Sequence, residues 1–303
     1  MRAERVSAAA DHGALAPGRL DRTVIGITRR LPNSYFGRKL AMLLRRIVTM
    51  RLADGALDVD VWGMRVRLHP RDNRCEKAAL FTPQMYDPAE LAALAGEIDQ
   101  VTAAGRPFTF IDIGANVGLF SLFVAARARR NARIVAIEPE AGNFERLAFN
   151  LAANPGLPIR PIRVALGDRE GEVAIEKDPQ DRGGTRTRSL DRAAANAARV
   201  ACRPLLHGLA EVGIDAIDAL KIDVEGAEYS ILAPFFRDAP PALWPRLLVI
   251  EDTRTLWPGD LFALMAEKGY RVEARNRQNV ILHYETMGTA AATSIPLLAT
   301  EQR

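Results

Sequence analysis

The chain has 303 residues, 48% apolar and 26% charged, a balance that fits a globular protein and excludes a largely disordered or fibrous one. Its net charge of +4 is unevenly placed: residues 1–52 hold eleven basic and three acidic side chains, leaving thirty basic and thirty-four acidic in the remainder. The body is therefore net acidic, which argues against a nucleic-acid partner, and two cysteines far apart, Cys75 and Cys202, exclude a disulfide framework and zinc-knuckle spacing.

Residues 1–33 are rich in Ala, Arg and Gly without a sustained period and read as a flexible tail. A secretory signal is not expected there, because the arginines are scattered and no apolar core separates them, so a cytoplasmic location is expected. Residues 34–104 read as an N-terminal extension. Its first part, 34–52, is a basic amphipathic helix: Phe36, Leu40, Leu43, Leu44, Ile47 and Val48 follow a helical period, with Arg38, Lys39, Arg45 and Arg46 on the other side. Such a helix packs on its own domain or lies on an anionic membrane surface. Residues 57–69 alternate apolar and polar residues, predicting a hairpin that turns near Gly63. Residues 87–104 predict a helix capped by Asp87 with Pro88 in its first turn.

From 105 to 285 the pattern becomes strand, helix, strand, helix. Strands are predicted at 108–113, 134–138, 159–166, 217–223 and 247–251, with helices beginning near Val117, over residues through Asn154-Pro155, from Glu225 to Phe236, and over 261–268. Residues 270–274 and 280–284 form a closing hairpin, and 286–303 a C-terminal tail. Short apolar strands alternating with helices predict a doubly wound α/β domain. The longest apolar run, LFSLFVAA at 119–126, is far short of the ~20 residues of a membrane-spanning helix.

Ligands of such sheets bind beyond the carboxyl ends of the strands. All five predicted strands bring an acid there: Asp112, Glu138, Asp168, Asp223 and Glu251. Gly114 and Gly118 allow a tight turn after the first strand, but the phosphate-cradling G-x-G-x-x-G pattern fails, with Asn116 and Leu119 in its second and third glycine positions. Glu138, twenty residues beyond Gly118, suits a ribose diol. The expected ligand is a nucleoside with positive charge and no phosphate, a description that S-adenosylmethionine meets.

Asp112-Ile113-Gly114-Ala115-Asn116-Val117-Gly118 resembles the first motif of the class I methyltransferases, and more narrowly of the FkbM-type family. Ile137-Glu138-Pro139 with Asn143-Phe144 is similar to that family's second motif, Ala165-Leu166-Gly167-Asp168 with Gly171 to its third, and KIDVEGAE at 221–228 to its most recognisable one. One departure is Pro204-Leu205-Leu206-His207, where the family shows a Thr-Leu-Asp-like segment.

The resemblance implies a doubly wound, Rossmann-like, seven-stranded sheet, S-adenosyl-L-methionine as cofactor, and O-methylation of a hydroxyl on a sugar, glycan or secondary metabolite. It implies that Gly114, Ala115, Asn116 and Gly118 form the turn beneath the methionine portion. Asp112 would bind the amino end, directly or through water, Glu138 the ribose and Asp168 the adenine amino group. Asp223 would lie nearest the transferred methyl. Asp223, Glu225 and Glu228 are the candidate bases, the last two sharing a helical face at i, i+3. No metal is expected, a divalent ion on Asp223, Glu225 and Glu251 being the alternative. Lys221 is read as a structural residue partnered by Asp218 or Glu251, and His207 and His283 as packing or surface residues. The competing readings are a nicotinamide-dependent oxidoreductase, opposed by the failed phosphate fingerprint, and a non-catalytic module that keeps the fold.

Overall fold

A computed structural model of the chain describes residues 11–52, 55–176, 184, 186–188 and 197–285. The expected tail at 286–303, and most of residues 177–196, lie outside the described residues.

The extension opens with α1 (Arg19–Thr28), inside what the sequence suggested was a flexible tail. Val24 and Ile25 are buried in the core and α1 packs against α2 (Tyr35–Arg51), so apolar spacing outweighs the Ala/Arg/Gly composition around it. Ser34 caps α2 by accepting a bond from the Gly37 N–H at 3.2 Å. The hairpin of β1 (Leu57–Val61) and β2 (Met64–Leu68) turns through Trp62 and Gly63, both with positive φ, as a two-residue hairpin turn requires. After α3 (Arg74–Phe81) comes α4 (Pro88–Ala103). Asp87 does precede α4, but its own backbone is left-handed (φ 37) and its side chain makes no capping bond. Burial, with Glu90 close by, pushes its carboxyl up to about 6.

The main sheet joins β3 (Phe108–Ile113), β4 (Ala132–Ile137), β5 (Ile159–Ile162), β10 (Ala219–Ile222), β11 (Leu247–Glu251), β12 (Tyr270–Arg275) and β13 (Asn279–Tyr284) in the order β12-β13-β11-β10-β3-β4-β5. β13 alone runs antiparallel to its neighbours. This is the seven-stranded, doubly wound sheet that the resemblance implies. Helices α5 (Leu119–Arg127), α6 (Ala141–Ala152), α7 (Leu205–Glu211), α8 (Glu228–Asp238) and α9 (Leu261–Glu267) cover it. β3 divides its residues between two cores: Phe108 and Phe110 join the cluster that includes α4 and α5, while Ile111 and Ile113 join the one beneath α7, α8 and α9. The extension belongs to the first cluster through Val48, Val59, Leu68, Leu80 and Phe81. Burying each such side chain contributes roughly 1.5–3 kcal/mol. It is also tied to α6 and the turn after it, where Asn150 and Asn154 accept the β2 amides of Arg67 and Arg65 at 2.8 and 3.0 Å.

The predicted strand at 159–166 divides. β5 ends at Ile162, and β6 (Ala165–Leu166) enters a second sheet of order β6-β9-β7-β8, with β7 (Gly171–Glu176), β8 (Arg186–Arg188) and β9 (Ala198–Arg203).

Candidate active site

β3 ends against β10, and the turn between β3 and α5 fills the space above them. Gly114 (φ 74), Asn116 (φ 53) and Gly118 (φ 87) all take left-handed backbone. The Gly114 and Ala115 amides both bond to the Ile137 carbonyl at the end of β4, each at 3.0 Å. A cavity opens over this turn. Gly114, Ala115 and Asn116 form one wall, Glu138, Pro139 and Asn143 another, and Lys221, Asp223, Glu225 and Glu251 the floor. Gly118 serves instead as the N-cap of α5.

Glu138 is buried at the end of β4 and faces this cavity. Its two oxygens accept the Asn116 and Glu140 amides at 2.8 and 2.9 Å. A carboxylate accepts about four such bonds, which leaves capacity for a diol. Burial pushes its carboxyl up to about 7, against the pull of the same two amides.

Lys221 is a residue the sequence reading misplaced. Its ammonium lies 3.3 Å from Asp223 and 3.9 Å from Asp112, and donates to the Gly114 carbonyl at 3.4 Å. Burial alone would lower it, and the two carboxylates overcome that and hold it above its ordinary value. The strand register places Lys221 directly beside Asp112. Asp218, the partner expected of it, instead accepts the Thr109 amide at 2.8 Å.

Asp112 is fully buried beneath the turn and does not reach the cavity wall. One of its oxygens accepts from the Ser121 amide and hydroxyl at 3.1 and 2.6 Å, so it ties the turn to α5. Burial raises its carboxyl, while Lys221 and Ser121 draw it back.

Asp168 does not line this cavity. Its side chain is 66% exposed and lines a separate depression with Tyr229, Arg237 and Lys268. Because the chain leaves the main sheet after Ile162, Val164, Ala165 and Leu166 line the cavity in its place.

The segment after β10 departs most from expectation. Glu225 has φ 58 and Gly226 φ 113, so α8 begins only at Glu228 and the two acids share no helical face. Glu228 is fully buried and away from the cavity. It accepts from the Val224 and Gly226 amides at about 3.1 Å, from the Thr253 hydroxyl at 2.6 Å and from the Trp257 indole at 2.8 Å. These bonds fix the loop, and Glu228 is not a base. Asp223 does face the cavity, 39% exposed. Asp223, Glu225 and Glu251 bring carboxylate oxygens within 4.8 Å of one another, a set that suits a hard cation or a shared proton. Glu251 also accepts the Glu225 amide at 3.2 Å. Burial, then the neighbouring Asp223, Glu225 and Glu228, push its carboxyl up to about 9.

His207 and His283 lie outside the cavity, each beside a glutamate: Glu170 at 3.0 Å and Glu273 at 2.8 Å.

The extension contributes Arg74, Cys75 and Tyr86 to the cavity wall, residues the sequence reading did not single out. Asn73 caps α3 through the Glu76 amide at 3.1 Å and donates to the Asn116 side chain at 3.0 Å. Its cap pattern, Asn three residues before Glu, is the one local signal that marks the segment.

Among the described residues, four carboxylates and two cations, Arg74 and Lys221, line the cavity. That balance and the glycine turn without a phosphate cradle fit a cationic nucleoside, and Glu138 fits its ribose.

Residues 112–272 match the family model described as the methyltransferase FkbM domain. AMB antimetabolite synthetase AmbE of Pseudomonas aeruginosa is 34% identical over 204 residues, covering 54% of this chain and 10% of that protein. Methyltransferase sdnD of Sordaria araneosa is 26% identical over 182 residues, covering 50% of this chain and 65% of that protein. The chain thus spans less than two thirds of either relative. Among solved structures, a SAM-dependent methyltransferase from Agrobacterium tumefaciens aligns with a TM-score of 0.42 at 12% identity, over 76% of this chain and 70% of that one. The human methyltransferase 10 domain containing protein aligns with a TM-score of 0.43 at 13% identity, over 87% and 95%. No helix among the described residues is long and apolar enough to cross a membrane.

Proposed function

Because this chain belongs to the FkbM methyltransferase family, we propose that it transfers a methyl group from S-adenosylmethionine to a hydroxyl of a sugar, glycan or secondary metabolite. The observation that carries this reading is the cavity over Gly114–Asn116, walled by Glu138 and floored by Asp223, Glu225 and Glu251. Glu138 holds the ribose, a charge-assisted contact. The turn from Gly114 to Asn116 supports the methionine portion, and Val164 to Leu166 flank the base.

The donor supplies a methyl carbon already bound to a good leaving group. The protein's part is alignment, worth up to ~7–11 kcal/mol of barrier, and removal of the acceptor's proton. Asp223 takes that proton as the new C–O bond forms and the S–C bond breaks. Lys221, 3.3 Å away, keeps Asp223 oriented. Glu251, pushed up to about 9, keeps its proton at neutral pH and so relieves repulsion among the three acids.

The experiment is an acceptor screen with donor carrying a labelled methyl. Label on the oxygen of a hydroxyl compound supports the reading. Label delivered only to nitrogen, or to no hydroxyl compound while the donor binds, overturns it.

A further inference from the structure

We propose that the outward face of α2 docks on an anionic lipid bilayer. This inference is independent of the methyl-transfer reading. Phe36, Leu40, Leu43, Ile47 and Met50 recur at spacings of four, three, four and three, which stacks them in one stripe along the helix. All five are exposed to solvent among the described residues, Phe36 at 82%, Leu43 at 62% and Met50 at 80%.

A different face of the same helix packs against the protein. Gly37, Ala41 and Val48 are buried there, roughly 120° around the helix from the stripe at 3.6 residues per turn. Anchoring of α2 therefore does not use the five apolar side chains. Leu20 and Ile27 of α1, the helix packed against α2, are exposed too.

Charge decides what covers the stripe. α2 holds Arg38, Lys39, Arg45, Arg46 and Arg51 and no acid. Lys39 and Arg46 border the stripe on one side and Arg51 on the other. A second copy of the chain would set five cations against five. An anionic bilayer instead offers negative headgroups to the flanking cations and an apolar layer to the stripe between them. The charge asymmetry of the chain, basic through residue 52 and net acidic beyond, orients the molecule the same way.

The test is co-sedimentation of the full chain with phosphatidylcholine vesicles, with and without phosphatidylserine. Binding should require phosphatidylserine and weaken as salt rises. The triple variant Phe36→Ser, Leu43→Ser, Ile47→Ser should lose it while keeping wild-type circular dichroism and donor affinity. The exposed pair Lys39→Gln, Arg46→Gln, which leaves the apolar stripe intact, should weaken it by on the order of tenfold. Absence of vesicle binding by the wild type, undiminished binding by the charge variant, or a dimer that the triple substitution splits would each overturn the proposal.

Discussion

Gly114 and Asp223 meet backbone to backbone: a Cβ on Gly114 would lie 1.8 Å from the Asp223 carbonyl oxygen. The turn after β3 and the end of β10 are thereby pressed together, and the cavity forms where they touch. Gly114 also has φ 74, a region that strains any residue with a side chain. Gly114→Ala should lower stability by more than ~2 kcal/mol, strain and displacement together, and should abolish donor binding. Thermal unfolding and calorimetry check both effects. A variant with wild-type Tm and affinity would show that the two strand ends do not define the site.

Asp223 and Glu228 lie five residues apart and should respond to substitution in opposite ways. Asp223→Asn should fold normally and lose ~10²–10⁴-fold in kcat, as for a missing general base. Glu228→Ala should strand the Trp257 indole, the Thr253 hydroxyl and the loop amides. It should cost about 3 kcal/mol of stability, visible as a fall of several degrees in Tm. Turnover of the Asp223 variant at the wild-type rate would remove Asp223 from the base role. Unchanged Tm of the Glu228 variant would contradict the loop-fixing role.

Asn73 lies outside the segment matched to the family yet holds Asn116 at 3.0 Å. Asn73→Ala should cost about 1 kcal/mol through the lost cap. Asn73→Ser keeps a capping oxygen and should keep stability, yet weaken donor binding several-fold with little change in kcat. Equal affinity of wild type and Asn73→Ser would separate the extension from the cofactor wall.

How far this site was readable in the sequence depends on distance along the chain. The parallel strands stand out because strands buried on both faces are mostly apolar, as at Phe108–Ile113 and Leu247–Glu251. Glu138, Asp223 and the glycine turn followed from their places at strand ends. The errors arose where local pattern yields to tertiary geometry. Reading 159–166 as one strand hides the departure into the second sheet that carries Asp168 away. The helical spacing of Glu225 and Glu228 hides a left-handed break between them. Lys221 finds Asp112 through strand register, and Arg74 and Tyr86 reach the cavity only through the packing of the extension. The apolar period of α2 marked the helix correctly but not that most of its stripe faces outward.

Glu251 makes stability depend on pH. The folded chain holds its proton up to about 9, whereas the unfolded chain releases it above the ordinary 4.5. Its contribution is therefore fully present below about 4.5 and is lost as pH rises towards 9. Glu251→Gln should remove this dependence, so that the variant gains in Tm over wild type as pH increases from 6 to about 9. Parallel Tm profiles for the two proteins would contradict the proton on Glu251.

In the proposed function a cationic, ribose-bearing donor sits against Glu138 at the acidic edge of the sheet. Glu138 is held up to about 7, and a diol prefers the ionised form, so binding should tighten as pH rises through that value and should release protons. Calorimetric titration of S-adenosylmethionine at several pH values, with NAD as comparison, measures this. One donor site is expected, with affinity that rises with pH, a loss of that pH dependence in Glu138→Gln, and no comparable binding of NAD. Preferential binding of NAD, or donor affinity untouched by Glu138→Gln, would contradict it.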